Sequence, residues 1–494
     1  MRKNVNFLEI IKILSLMCIT MSSILIIPLA YALSFNEQSS ALAFASTSAF
    51  FLSLGGLGYA LTRRFHVKLN MPSSMLACLL SWLLSSCIGA IPFMLALDKG
   101  FIDSLFESVS GFTTTGITVF TGLDQMPKSV LLWRNLTQWL GGLGILTFFL
   151  LVTFKSESDI WKLFGAESHK AHVSRPVPNI HSTIRILWGI YVFITVLEIA
   201  FLRLFGVSLY DSVLHSFSTV STGGFSPYDQ SLLQFYKSKY PNYKLIEYCV
   251  TFFMFISGVN FLLHYRLIVG GIRGYLKDME FRSYFKITLF FSAIVYAESI
   301  FIGGFGYLDE NVFRKSLFQV VSIVTTTGFS TEYIGSDFFG SSAQLLFPAL
   351  MLIGGCIGST AGGVKILRIA ILGKLFSREI LKTAVPKSVV IPVTLDNIRV
   401  GNEEVLKVCS IFFGWILVIF TGAVITGALS DLGPFESLSG MLSAVGNIGP
   451  FYFSVEQMAS LSPVIKLTYI AGMLCGRLEI LPVFIILSMR SKLL

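Results

Sequence analysis

The sequence predicts an all-α polytopic membrane protein. Three observations predict it. Of 494 residues, 54% are hydrophobic and only 13% are charged. Apolar runs long enough to cross a bilayer recur along the whole chain. A short Ser/Gly motif recurs four times between those runs. A water-facing surface carries about twice this share of charge, which excludes a string of soluble domains. So much apolar material also excludes disorder.

A spanning helix needs roughly 20 mostly apolar residues. Candidate spans fall at 8–33, 41–61, 73–98, 130–154, 183–206, 246–270, 284–306, 342–372, 404–428 and 463–489. At the N-terminus, Arg2 and Lys3 precede an apolar run, and Ala30-Tyr31-Ala32 has the small-residue look of a signal cleavage site. The run exceeds the 7–15 residues of a signal h-region, so it is read as a retained span. Lys and Arg crowd one side of the resulting topology: Arg2, Lys3, Arg63, Arg64, Lys68, the stretch 155–185, the stretch 266–286, the stretch 365–407, Arg490 and Lys492. The positive-inside rule makes that side cytoplasmic, with both termini on it. The net charge of +9 is therefore an orientation signal, and no nucleic-acid partner is expected. The seven Cys are scattered without a CxxC pair, and the six His form no HExxH. No disulfide framework, zinc site or bound cofactor is expected.

The four short segments read DSLFESVSGFTTTG (103–116), DSVLHSFSTVSTGG (211–224), KSLFQVVSIVTTTG (315–328) and ESLSGMLSAVGNIG (436–449). Aligned on Gly116, Gly224, Gly328 and Gly449, they share Ser110, Ser218, Ser322 and Ser443. They also share Ser104, Ser212, Ser316 and Ser437. An acid precedes the second serine in three copies, and Lys315 stands there in the other. An acid-Ser pair before an apolar run is a helix-start signal. About eight helical residues should follow, then non-helical Thr/Ser/Gly backbone. Such backbone is tolerated at membrane depth only inside protein or along a wet cavity. Four copies around one axis can aim carbonyl oxygens inward, and rings of carbonyls replace the hydration shell of an alkali cation.

These motifs resemble the Trk/Ktr/HKT superfamily of potassium transporters. The resemblance rests on SGFTTTGIT (110–118), STVSTGGFS (218–226), VTTTGFST (324–331), GNIGP (446–450), GGCIGSTAGGVK (354–365) and GRLE (476–479). It is closest to the bacterial TrkH branch, which carries two extra N-terminal helices, here 1–68. The resemblance implies four helix–pore-loop–helix repeats in pseudo-fourfold arrangement around one pore: 73–154, 183–270, 281–372 and 403–490. It implies a potassium filter at Thr114, Thr115 and Gly116; Thr222, Gly223 and Gly224; Thr326, Thr327 and Gly328; and Asn447, Ile448 and Gly449. Gly rather than Ser at position 116 favours potassium over sodium. It further implies a homodimer and a TrkA-like cytoplasmic nucleotide-binding subunit, for which the basic loops are docking candidates.

The span at 342–372 is interrupted by glycines. Gly354, Gly358 and Gly362 have GxxxG spacing, which fits close helix packing. A phosphate loop is excluded, because Val364 stands where its Lys is required. The remaining reading, which the resemblance supports, is an intramembrane gate loop containing Gly354, Gly355, Gly358, Ser359, Thr360, Gly362 and Gly363. Arg477 lies well inside a span, where a charge costs about 2.5–3.5 kcal/mol, so it should face the bundle interior. It is either satisfied there by helix-end carbonyls or, as the resemblance implies, is a pore charge below the filter. Glu479 shares no helix face with it. Glu107, Glu198, Glu247 and Glu298 are interior partners or pore-mouth charges. A secondary transporter of another small solute would use paired broken spans, but only one broken span is legible here. An intramembrane enzyme lacks any HExxH, GxSxG or convergent cluster.

Overall fold

The computed structural model describes residues 7–65, 71–144, 147, 180–301, 309–386, 388–395, 398–480 and 483. The basic stretch 155–179, the parts of predicted spans at 145–154 (apart from 147), 302–306, 481–482 and 484–489, and Arg2, Lys3, Lys68, Arg490 and Lys492 lie outside these residues.

The architecture is helical, apart from a two-residue hairpin of β1 (Thr394–Leu395) and β2 (Ile398–Arg399) within the 365–407 stretch. Among the described residues six helices are long and apolar enough to cross a membrane, or seven if one bent pair counts as a span. The first predicted span is two helices, α1 (Phe7–Ile24) and α2 (Ile26–Ser34). Pro28 removes the amide that would continue the ladder. The next span, α3 (Gln38–Thr62), packs back on α1. The turn between α2 and α3 presents Glu37, whose carboxylate accepts from the Lys128 and Ser129 amides at 2.8 and 3.1 Å. Those amides begin the helix Lys128–Gly142, so this carboxylate ties the N-terminal pair to the rest of the bundle.

The remaining chain repeats one order: a long helix, a shorter helix carrying the Ser/Gly motif, then a helix that stops or bends partway. The first group is α4 (Met71–Leu97), α5 (Phe101–Phe112) and α6 (Lys128–Gly142). The second is α7 (Ile180–Leu204), α8 (Leu209–Val220), α9 (Tyr243–Ser257) and α10 (Phe261–Gly270). A six-residue helix, α11 (Ile272–Lys277), leads to the third: α12 (Met279–Phe301), α13 (Glu310–Val324), α14 (Ser341–Leu352) and α15 (Ile366–Thr383). The fourth is α16 (Asn402–Leu429), α17 (Pro434–Gly446) and α18 (Pro463–Arg477).

Two expectations are corrected. About eight helical residues do follow Ser104, Ser212, Ser316 and Ser437, but the helices start before those serines and run 12, 12, 15 and 13 residues in all. Their acid does not start the helix but sits in its first turn: Asp211 bonds back to the N-cap Ser208, and Glu436 accepts from the Gly433 amide at 2.8 Å. Lys315 departs from the pattern because α13 begins earlier, at an Asp309 cap, and Lys315 pairs with Glu332 at 2.7 Å. Second, more than one span is broken. The predicted span 246–270 bends by 92° between α9 and α10. Helix α6 stops at Gly142, α14 at Leu352 and α18 at Arg477. Each stop carries a glycine that lets backbone approach. A Cβ on Gly141 would overlap the Phe112 carbonyl at the end of α5, and one on Gly476 the Val445 carbonyl of α17.

Two buried ion pairs clamp short helices to long ones. Arg134 on α6 reaches Glu107 on α5 at 2.6 Å, and Arg314 on α13 reaches Glu247 on α9 at 2.6 Å. All four side chains are buried. Breaking one partner of a buried pair costs about 3–5 kcal/mol, because the other charge is stranded. Glu107→Leu and Arg134→Leu should therefore each lower the thermal unfolding midpoint in detergent sharply, and the double replacement should lower it less than either alone.

Candidate functional site

The four short helices end in one shared backbone geometry. Each is followed by a residue in the left-handed region: Thr114 at φ 53°, Thr222 at 54°, Thr326 at 55° and Asn447 at 53°. Two residues later come Gly116 at 82°, Gly224 at 76°, Gly328 at 84° and Gly449 at 115°. The residue between them donates its amide back to the shared serine. Thr115 bonds the Ser110 carbonyl at 2.9 Å, Gly223 that of Ser218 at 2.8 Å, Thr327 that of Ser322 at 2.9 Å and Ile448 that of Ser443 at 3.0 Å. The serine side chains hold the other end of the turn. Ser110 Oγ donates to the Ile117 carbonyl at 2.5 Å, and Ser322 Oγ to that of Phe329 at 2.6 Å. Ser443 Oγ accepts from the Gly449 amide at 3.0 Å. The other shared serines, Ser104, Ser212, Ser316 and Ser437, are buried near the helix starts.

The segments meet in closed cyclic order. A Cβ on Gly116 would overlap the Gly223 carbonyl oxygen, one on Gly224 that of Thr327, and one on Gly328 that of Ile448. One on Gly449 would come within 3.1 Å of the Thr115 carbonyl oxygen, which closes the cycle. Positive φ and the facing carbonyl together demand glycine at these places. The four glycines line an outer cavity of about 430 Å³, with Asp229 and Glu456 at its sides. An inner cavity of about 70 Å³ is lined by Gly142, Ser359, Gly362, Lys365, Arg477 and Glu479.

Helix α6 braces the second segment. Gln138 Nε2 donates to the Gly223 carbonyl at 2.6 Å, and its Oε1 accepts from the Phe225 amide at 3.0 Å. Asn135 Oδ1 accepts from Ser218 Oγ at 2.7 Å. Arg134 donates to the Ser226 carbonyl at 2.9 Å and lies 3.5 Å from the Phe225 ring centre. The sequence analysis missed these residues. Their signal was available: Arg134, Asn135, Thr137 and Gln138 are polar side chains in an otherwise apolar span.

Residues 353–365 are not helical, so Gly354, Gly358 and Gly362 do not form a GxxxG helix face. The segment folds back on itself, with Val364 donating to the Leu352 carbonyl at 3.0 Å. It lies against the inner side of the ring. The Gly362 amide donates to Thr326 Oγ1 at 2.6 Å, and the Gly363 amide to the Gly446 carbonyl at 3.0 Å. Thr360 Oγ1 donates to the Val220 carbonyl at 3.0 Å. The Cys356 amide donates to the Gly258 carbonyl at 2.9 Å, and Ser359 and Gly355 pack nearby.

Arg477 joins the two alternatives weighed for it. It donates to the Gly141 carbonyl and, at 2.6 Å, to the Gly142 carbonyl, which are helix-end acceptors of α6. It also reaches the Thr360 carbonyl at 2.9 Å and Thr114 Oγ1 at 3.2 Å, so the same side chain sits directly under the ring. Glu479 pairs with Arg368 at 2.6 Å. Of the other acids, Glu298 accepts from the Ser342 and Ala343 amides at 2.8 and 2.6 Å and caps α14. Glu198 is fully buried, and neither carboxylate oxygen makes a hydrogen bond. Among the described residues no group of His, Cys, Asp and Glu is placed to hold a metal ion. All seven cysteines are free.

The family model TrkH, described as cation transport protein, matches residues 40–302 and 304–493. The chain is 31% identical over 505 aligned residues to the Trk system potassium uptake protein TrkH of Salmonella typhimurium, covering 98% of this chain and 99% of that one. It is 32% identical to an uncharacterized cation transporter of Methanocaldococcus jannaschii, covering 94% and 91%. The crystal structure of the potassium transporter TrkH from Vibrio parahaemolyticus superposes with a TM-score of 0.86 at 30% identity, covering 98% of each chain.

The ring makes a stability prediction. Gly328→Ala places a Cβ in left-handed backbone and against the Ile448 carbonyl, at a cost of about 1–3 kcal/mol for the conformation alone. Its unfolding midpoint in detergent should drop. Gly56→Ala should match or exceed the parent, since nothing approaches that helical glycine within 4 Å and Ala favours a helix by about 1 kcal/mol.

Proposed function

The chain belongs to the TrkH family of cation transport proteins, and on that premise we propose that it takes up potassium through a carbonyl filter formed by its four ring segments. It is a multi-pass inner-membrane protein, and its family comprises transporters rather than enzymes. The observation that carries the proposal is the closed cyclic order of Gly116, Gly224, Gly328 and Gly449 against carbonyls of the next segment.

In this reading 73–154, 183–270, 281–372 and 403–490 are four repeats around one pore, with 1–68 packed outside. The 430 Å³ cavity is the outer vestibule, where a hydrated ion arrives. At the ring, backbone oxygens take the place of its water. The short helices end beside the ring, so their carbonyl poles add a favourable potential for a cation. Each segment contributes few carbonyls, which gives few ion sites and moderate selectivity. Rubidium passes well and sodium weakly.

Below the ring, residues 353–365 and Arg477 obstruct the exit. Bonds from the loop to Thr326, Gly446 and Val220 support a role as gate, because moving the loop opens the path the ring begins. The Arg477 charge opposes a cation resting in the inner cavity and so speeds its exit. The membrane potential supplies about 2.3 kcal/mol per unit charge per 100 mV. Control comes from a TrkA-like nucleotide-binding subunit docked on the basic cytoplasmic surface, and two copies of the chain assemble as a homodimer.

Expression in a potassium-uptake-deficient bacterium should restore growth on low-potassium medium; failure with the protein present in the membrane would refute potassium uptake. Gly116→Ser should lower the potassium-to-sodium permeability ratio, and an unchanged ratio would refute the filter assignment. Arg477→Ala should raise conductance by removing the charge and one anchor of the loop. Reduced conductance in a folded protein would refute that role.

A further inference from the structure

We propose that Glu280 is a positioning residue that latches the 353–365 loop in its obstructing conformation, by holding the Ile357 amide. The inference rests on the reading of this loop as the gate.

The Ile357 amide donates to Glu280 Oε1 at 2.6 Å. Removing a side-chain oxygen that accepts from a buried backbone amide leaves that amide unsatisfied, which costs more than the bond's own net contribution. Ile357 sits at the corner of the loop that lines the inner cavity. The next residue, Gly358, turns with φ 82°, and its carbonyl accepts from the Phe261 amide at 3.1 Å. The corner is therefore held from two directions. On one side the break between α9 and α10 holds it through backbone. On the other a single carboxylate, at the start of α12, holds it through a side chain.

This attachment differs from those the loop makes to the ring, and unlike the backbone bonds to Gly258 and Phe261 it is made by a replaceable side chain. The bonds from Gly362, Gly363 and Thr360 end on the short-helix and ring segments, so altering them disturbs the filter. The bond to Glu280 touches no ring residue. Glu280 also follows α11 closely in sequence, and Asp278 links the two by accepting the Phe281 amide at 2.9 Å. Helix α11 carries Arg273 and Lys277 and leaves Ile272 and Leu276 exposed at 62% and 52%. It is thus an exposed helix directly before the latch in sequence and a part of the basic stretch. A displacement of α11 pulls Glu280 away from Ile357 without passing through the ring.

Native cysteines report on the latch. Cys356, beside Ile357, is 1% exposed, while Cys78 on α4 is fully buried and remote in the chain. Glu280→Ala, reconstituted in vesicles at matched protein level, should raise basal rubidium influx roughly ten-fold, the order expected for losing one buried hydrogen bond. The rubidium-to-sodium ratio should not change. Cys356 should alkylate faster with a maleimide while Cys78 stays protected. Glu280→Gln, whose amide oxygen still accepts a hydrogen bond, should recover most of the low basal influx. If Glu280→Ala also exposes Cys78, the shorter Glu280→Asp provides the reading, with raised influx and a reactive Cys356 expected. Wild-type influx and Cys356 reactivity in these variants, together with raised influx on truncating 354–363, would overturn the latch and leave the gate standing. Unchanged influx on truncation would overturn both.

Discussion

The structure depends on one constraint: peptide groups inside a bilayer must be bonded to protein or face a wet cavity. Four stretches of this chain break the helical ladder in mid-bundle, and each frees carbonyls in doing so. The shared serines keep the cost bearable. Ser110 and its counterparts accept the amide of the extended residue and, in three of the copies, bond the turn again through their hydroxyl. The amides are thereby used internally, while carbonyls of Thr115, Gly223, Thr327 and Ile448 face the neighbouring glycines, that of Gly223 also accepting from Gln138. A set of oxygens that cannot be satisfied by helix geometry is a place where a desolvated cation is welcome.

The same constraint organises the long helices. Each second helix stops at the level of the ring, near Gly142, Gly258, Gly354 or Gly476, and the stops expose further carbonyls. One guanidinium gathers several of them. Arg477 bridges the end of α6, the loop at Thr360 and the ring residue Thr114, so a helix-end cap and a charge below the ring are one side chain. Further out, Arg134 and Gln138 on α6 support the segment of the following group, so the second segment is braced by a neighbouring helix as well as by its own turn.

Much of this was legible in the sequence. Two serines and a glycine at fixed offsets located all four ring segments, because the geometry needs those residue types and little else does. What escaped was set by tertiary contact. Glu107 and Arg134 are 27 positions apart, and nothing local marks them as a pair. The bend at 258–260 carries a lone glycine in an apolar run, which reads as an ordinary helix until Gly258 is seen against Tyr284 and Thr325. Helix starts were misplaced because an acid in the first turn and an acid at the cap look alike in sequence. The glycine-rich loop could be recognised as irregular from composition, but Glu280, its distant anchor, could not.

The central claim is that the ring binds a dehydrated cation. The most direct measurement is anomalous X-ray scattering from crystals of this protein grown in rubidium. The account predicts a rubidium peak enclosed by the Thr115–Gly116, Gly223–Gly224, Thr327–Gly328 and Ile448–Gly449 segments. A ring empty of rubidium, with ordered rubidium elsewhere along the chain, would contradict it.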